Sequence, residues 1–382
     1  MKILRCIHSL NPVIGGPLES VKQLSRVLAR RGHEVEVVSL DAPTDPWLRE
    51  FPTTVHALGP GQGSYGYSAR LVPWLKEQHA QYDAVVVHGI WQYNSFGTWR
   101  ALHKAVTPYF VVPHGMLDPW FNRTYPLKHL KKLLYWPWAE YRVLRDAKAV
   151  FFTSEEERCL ARKSFAPYRC HEVVVNYGTA APEIDLPEAQ EEFLNAFPRL
   201  REKSFLLFLG RLHEKKGCAE LIRAFAEIEN PSLQLVLAGP CANDGYLQRL
   251  KGLTNELNLG KTITFTGMLT GNLKWGAFAA AEAFILPSHQ ENFGIAVVEA
   301  LACGTPVLIS NKINIWREIV NDACGFAAED DVAGTRCLIE RWLATPTPER
   351  REMAASARLC FANHFEINRA VDSMLRALET NS

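Results

Sequence analysis

At 382 residues the chain exceeds what one hydrophobic core usually supports, which predicts two domains. Hydrophobic residues at 47%, charged residues at 22% and a net charge of +1 exclude a polybasic nucleic-acid binder, so any anion must be held by local charges. Nine cysteines without a Cys-x-x-Cys spacing read as scattered small apolar residues of a reducing compartment, no run of about 18 apolar residues could cross a membrane, and residues 1–8 are a strand rather than a signal-peptide core. The expectation is a cytoplasmic protein.

Residues 3–7 form the first predicted strand. The loop that follows, 8–16, ends in Gly15 and Gly16; Pro17 then suits the first position of a helix on which Leu18, Val21, Leu24, Val27 and Leu28 share a face. Residues 34–40 make the next strand. A glycine pair at the first crossover of a β-α-β unit is how phosphate crevices are built, although a tight turn also needs glycine. Residues 44–67, rich in Pro, Gly and Ser, are expected to be irregular. Strands at 84–87 and 109–112 each run into a histidine and a glycine, His88-Gly89 and Pro113-His114-Gly115, at the sheet edge where open α/β folds bind ligands. Of the two, His114 is the functional candidate and His88 is expected to be structural.

Residues 120–148 mix aromatics, including Trp120, Trp136 and Trp138, with bases, including Lys128, Lys131 and Lys132. The favoured packing turns Leu130, Leu133, Leu134 and the tryptophans inward and leaves the lysines solvated. The alternative is a basic amphipathic helix lying on an anionic membrane. No base-reading motif accompanies the stretch, so nucleic acid is not expected.

Residues 149–152 are a strand leading into Thr153-Ser154-Glu155-Glu156-Glu157, a capped helix start, and 171–175 close the first half. Residues 179–203 read as linker and short helix. The second half repeats the grammar. A strand at 205–209 runs into Gly210-Arg211-Leu212-His213-Glu214-Lys215-Lys216-Gly217 and a helix at 218–228. Arg and Lys five residues apart, a planar fork and a point charge at a strand end, suit a diphosphate. Strands follow at 233–238 and 263–265, the latter ending in Thr266-Gly267-Met268-Leu269, then a helix at 272–281. Helices are expected at 315–320, 333–343 and 348–378.

Between these, a strand at 283–287, a loop, a helix carrying Ile295, Val298, Leu301 and Ala302, and a strand at 307–310 form one unit, with Gly304 as C-cap and Pro306 as stop. A helix opening just after Asn292-Phe293-Gly294 presents unpaired N–H groups to phosphate or sugar oxygens. Glu291 and Glu299 have backbones on the order of 12 Å apart. That is too far for an acid/base pair, since glycosidase carboxyls sit between roughly 5 and 10 Å apart. It suits two carboxylates gripping opposite ends of one long ligand, such as the sugar and ribose of a nucleotide sugar.

Glu291-Asn292-Phe293-Gly294 followed by Glu299-Ala300-Leu301-Ala302-Cys303-Gly304-Thr305-Pro306-Val307 resembles the Glu-x7-Glu signature of the retaining two-domain glycosyltransferases, most closely family 4. Gly210-Arg211-Leu212 with Lys216-Gly217 resembles that family's Gly-Arg-Leu-x-x-x-Lys-Gly motif. The resemblance covers nearly the whole chain and is most specific over 205–310. It implies an α/β protein of GT-B type, two Rossmann-like domains facing across a cleft: 1–180 for the acceptor, with about 362–382 packing back on it, and 181–361 for the nucleotide sugar. The implied reaction moves a sugar, with retention, from a UDP-, GDP- or ADP-linked donor to a hydroxyl of a sugar or lipid-linked glycan, in surface polysaccharide or glycolipid assembly. No cofactor and no metal are implied, because Arg211 and Lys216 take the part of a divalent cation on the diphosphate.

By the same resemblance Glu299 binds the ribose, the amides of Asn292, Phe293 and Gly294 meet phosphate and sugar, and the backbone of Gly267, Met268 and Leu269 meets the base. Gly15 and Gly16 line the site near diphosphate or acceptor. Glu291 holds sugar hydroxyls and the anomeric centre without covalent attack, and His114 contacts the sugar or acceptor rather than acting as a base. Asn176-Tyr177-Gly178 departs from the family's Pro-Asn-Gly. A sugar-nucleotide epimerase of the same fold and a non-catalytic glycan-binding subunit are the alternatives, and the set Arg211, Lys216, Glu291 and Glu299 favours the transferase.

Overall fold

The computed structural model describes residues 1–12 and 16–381. The chain forms two compact units, Met1–Gly178 with Ile367–Ser382, and Thr179–Glu366.

The first unit is built on a parallel sheet of seven strands: β1 (Lys2–Ile7), β2 (Glu34–Ser39), β3 (Thr54–Ala57), β4 (Ala84–His88), β5 (Tyr109–Val112), β6 (Ala149–Phe152) and β7 (Glu172–Val174), in the order β3-β2-β1-β4-β5-β6-β7. β4, β5 and β6 are buried along their whole length. Strands covered on both faces carry unbroken apolar runs rather than alternation, which is why the sequence announces them. β3 lies within the stretch expected to be irregular. It is an edge strand, paired only with β2 and half-exposed, so no apolar run marks it. The helix Ile367–Thr380 belongs to this unit; Ile367, Ala370, Val371, Met374, Ala377 and Leu378 form its buried stripe. It lies beside the end of the helix Gly16–Arg30, where Arg31 hydrogen-bonds the Asn368 side chain at 3.0 Å and ion-pairs with Asp372.

The second unit has a parallel sheet of six strands: β8 (Ser204–Leu209), β9 (Leu233–Ala238), β10 (Ile263–Gly267), β11 (Ala283–Leu286), β12 (Val307–Ser310) and β13 (Gly325–Ala328), in the order β10-β9-β8-β11-β12-β13. β13, a short edge strand, was not foreseen. Chain order reverses between β8 and β11, which brings the loops after these two strands side by side.

The segment expected to be helical over 348–378 is interrupted. The helix Thr347–Cys360 runs into a five-residue π turn, Phe361–Phe365, and Glu366 bridges to Thr179 before the final helix begins. The wider turn buries both Phe361 and Phe365.

The stretch 120–148 is three short helices, Trp120–Thr124, Pro126–Tyr135 and Glu140–Asp146. Here the favoured packing is overturned. The helix Pro126–Tyr135 buries none of its residues, and Leu127 and Leu134 are 80% and 71% exposed, with Leu130 and Leu133 also outward. Its inward side is polar and aromatic: His129 packs on Phe165, the Lys132 ammonium lies 4.5 Å from the Trp91 ring, and the Tyr135 hydroxyl meets that of Tyr65. Trp136 is buried as expected, but Trp138 is 69% exposed.

Candidate active site

The loops after β8 and β11 carry the residues that the sequence singled out. Lys216 ends a short 3-10 turn, Glu214–Lys216, whose start is fixed by the His213 ring accepting the Lys215 N–H at 3.0 Å. Gly217 follows with φ +68, and a Cβ there would fall 2.2 Å from the Pro287 carbonyl oxygen, so only glycine lets the two loops meet. The loops are stitched at Lys215: its carbonyl accepts the N–H of His289 at 2.9 Å and the Ser288 hydroxyl at 3.0 Å. Lys215 joins the loops through its backbone carbonyl, and the Lys216 ammonium meets Glu291. Lys216 Nζ lies 2.5 Å from Glu291 Oε1, with the two side chains only 17% and 16% exposed. The Glu291 backbone is held on both sides, its N–H donating to Lys312 at 3.0 Å and its carbonyl accepting from Asn314 at 3.1 Å.

Arg211, in the same β8 loop, is exposed and makes no ion pair among the described residues. After Glu291 the chain passes Asn292, whose side chain accepts from Asn314 Nδ2 at 3.3 Å, and the buried Phe293. Gly294, with φ +74, caps the helix Ile295–Cys303, whose first turn holds no acidic side chain to offset its N–H groups. Glu299 sits buried one helix face further on and is paired with Lys274 at 2.8 Å; the Lys274 ammonium also lies 4.2 Å from the Trp275 ring centre. Each glutamate of the pair thus has its own lysine, and the structure does not bring Glu291 and Glu299 onto one point. Lys274 was missed by sequence reasoning, because nothing local marks a lysine on the helix Gly271–Ala280 as a partner of Glu299. At the end of β10, Gly267 has φ +74, Met268 is exposed and Leu269 is buried.

His289 was also missed. Its Nδ1 lies 2.7 Å from Asp330 and its Nε2 3.8 Å from Glu220. The Glu220 carboxylate first, and Asp330 with it, push the imidazole up to about 9 against the effect of burial. It is an imidazolium at neutral pH, a fixed cation behind the Glu291 loop.

In the first unit, the histidines at the ends of β4 and β5 are joined. Arg5 Nη1 lies 3.2 Å from His88 Nε2, and His88 Nδ1 lies 3.0 Å from His114 Nε2. A guanidinium only donates, so His88 accepts at Nε2, carries its proton on Nδ1 and donates to His114. His114 then carries its proton on Nδ1. Burial, with the Arg5 charge adding to it, brings His114 down to about 4 and His88 well below its ordinary value, so both are neutral at pH 7. His114 takes φ +52, and Glu157 braces the turn by accepting the Gly115 N–H at 2.6 Å and the Thr153 N–H at 2.7 Å. Tyr177, where the sequence departs from Pro-Asn-Gly, sets its ring edge-on to His114 at 5.9 Å. Gly16 opens its helix, and Gly15 lies outside the described residues.

Residues 15–178 match the Glycosyl transferase 4-like domain and residues 189–359 match Glycosyl transferases group 1. The chain is 26% identical over 396 aligned residues to glycogen synthase of Mycobacterium tuberculosis, covering 94% of this chain and 90% of that one. It is 25% identical to alpha-monoglucosyldiacylglycerol synthase of Streptococcus pneumoniae, covering 88% and 77%. Anabaena HepE in complex with UDP superimposes with a TM-score of 0.81 over the whole of both chains at 19% identity. The two matches together span most of the chain, which belongs to the glycosyltransferases that these domains define and has the GT-B fold.

Proposed function

We propose that the protein transfers a sugar from a nucleoside-diphosphate donor to an acceptor hydroxyl with retention of configuration and without a metal in the reaction. The Lys216–Glu291 pair, set where two loops meet at the strand-order reversal beside Arg211, is the observation that carries this. Arg211 and Lys216 neutralise the departing diphosphate, on whose oxygen charge develops as the glycosidic bond breaks, so donors fixed there lower the barrier most. The amides of Asn292, Phe293 and Gly294 orient phosphate and sugar, and Glu299, aimed by Lys274, grips the ribose. The backbone of Gly267, Met268 and Leu269 meets the base. Glu291, held in place by Lys216, contacts sugar hydroxyls and the positive anomeric centre. His114 offers an Nδ1–H to the donor sugar; a neutral imidazole already accepting at Nε2 is a poor base, in keeping with a positioning role. Gly15 and Gly16 are assigned to the diphosphate of the donor or to the acceptor.

A lipid-linked acceptor at an anionic membrane face is favoured by the outward leucines. Leu127, Leu130, Leu133 and Leu134 stand in solvent beside Lys128 and Lys131, with no acidic residue between Asp118 and Glu140. Burying a leucine is worth about 1.5–3 kcal/mol, and lysines next to such a stripe draw it to anionic headgroups. The Streptococcus relative is named for a glycolipid product, which agrees with this. No helix among the described residues is long and apolar enough to cross a membrane, so contact would be peripheral.

The test is product analysis by NMR after incubation with UDP-, GDP- and ADP-sugars and membrane lipid extract. A new glycoside with the donor's anomeric configuration supports the proposal. An epimerised donor formed without acceptor would establish an epimerase, and binding with neither product a non-catalytic subunit.

A further inference from the structure

The second unit holds a cluster that the transfer reaction does not use. Asp322 follows the helix Trp316–Asn321, Cys324 precedes β13, and Cys360 and His364 flank the entry and body of the π turn. His364 Nε2 lies 3.1 Å from Asp322 Oδ2, and the ligating atoms of Asp322, Cys360 and His364 all lie within 4.8 Å of one another. The Cys324 thiol, which donates to the Ile319 carbonyl at 3.4 Å, neighbours that of Cys360. Both thiols are fully buried, whereas Asp322 and His364 are half-exposed.

We propose that Asp322, Cys324, Cys360 and His364 form a zinc site that fastens the π turn to the end of the second sheet. The donor set selects the ion. Two thiolates, an imidazole and a carboxylate suit zinc, whereas magnesium and calcium take oxygen ligands. Zinc bonds of about 2.0–2.3 Å set tetrahedral ligands roughly 3.3–3.8 Å apart; the atoms of Asp322, Cys360 and His364 already lie within 4.8 Å of one another, and Cys324 would turn in as the fourth. Cys360 and His364 are four residues apart on a helical segment, a spacing that turns two ligands to one side. The two half-exposed ligands leave a path for the ion to enter, and the two buried ones exclude water behind it.

The site is separate from the donor residues but one ring away from them. The Phe365 ring lies 5.8 Å from that of His364 and 5.8 Å, edge to face, from that of Phe293, which sits beside Gly294 in the loop before the Glu299 helix. A bound ion would hold Phe365 against that loop, so its effect is structural.

The experiment is a cobalt titration of the reduced, metal-free full chain, followed by zinc displacement and thermal unfolding with and without zinc. Wild type is expected to bind one cobalt per chain with thiolate-to-cobalt charge-transfer absorption, and to unfold at a higher temperature with zinc. Cys360→Ser should lose the charge-transfer bands from its sulfur. His364→Ala, at a half-exposed position that leaves folding intact, should bind at least tenfold more weakly and lose the zinc-dependent shift. Absorption without thiolate bands, binding unchanged in His364→Ala, or a Cys324–Cys360 disulfide in protein purified without reductant would overturn the site. None of these readouts involves sugar transfer, so the site and the transferase proposal fail separately.

Discussion

Lys216 Nζ and Glu291 Oε1, 75 residues apart in sequence, meet at 2.5 Å in a site where neither side chain is more than 17% exposed. Arg211, on the same loop, is exposed and unpaired among the described residues. The two cations should therefore separate in their effects on stability. Lys216→Ala leaves Glu291 without its partner and should lower both unfolding temperature and turnover. Arg211→Ala should lower turnover alone. Loss of a fixed donor to a developing anion costs roughly 10²–10³ in kcat. Steady-state kinetics beside thermal unfolding measure both, and full activity in either variant would remove the diphosphate assignment.

Lys274 has no counterpart in the motif, yet it holds Glu299. Lys274→Met should weaken nucleotide binding about tenfold, near 1.4 kcal/mol, in the same direction as Glu299→Ala. The double variant should add little to either, since the residues act as a unit. Titration calorimetry with the nucleoside diphosphate checks this; additive losses would mean that Lys274 acts elsewhere.

The His289 cation faces Glu220 and Asp330, with Lys312 Nζ 3.9 Å from the latter. Its folded value of about 9 lies above the ordinary 6.5, so its stabilising effect is complete below pH 6.5 and is lost as pH rises through about 9. Urea unfolding across that range should show wild type losing stability at alkaline pH more steeply than His289→Gln. Parallel pH profiles would show that the imidazolium contributes nothing.

The outward stripe predicts that replacing Leu127, Leu130 and Leu134 with serine leaves the unfolding temperature near that of wild type, because these side chains are exposed. The same change should abolish sedimentation with vesicles containing anionic lipid. Retained vesicle binding would show that another surface makes the contact.

Those leucines mark where sequence reasoning stopped. Their helical spacing is the same whether the stripe faces a core or a lipid surface, and only the aromatic bed of Trp91, Phe165 and Tyr65 decides that Lys132, His129 and Tyr135 turn inward. The central strands were legible because burial on both faces leaves unbroken apolar runs, whereas the edge strands Thr54–Ala57 and Gly325–Ala328 have none. Lys216 and Glu291 could be picked out through their motifs. Lys274, His289 and the Arg5–His88–His114 chain could not, because their meaning comes from neighbours 25 to 83 residues away.

On the proposed function the second unit grips a nucleoside diphosphate through Arg211, Lys216 and Glu299. Thermal unfolding with UDP, GDP and ADP, in wild type and Glu299→Ala, tests this. One diphosphate at about 100-fold its dissociation constant should stabilise wild type by ~2.7 kcal/mol and Glu299→Ala markedly less. No shift with any of the three, or an equal shift in the variant, would contradict it.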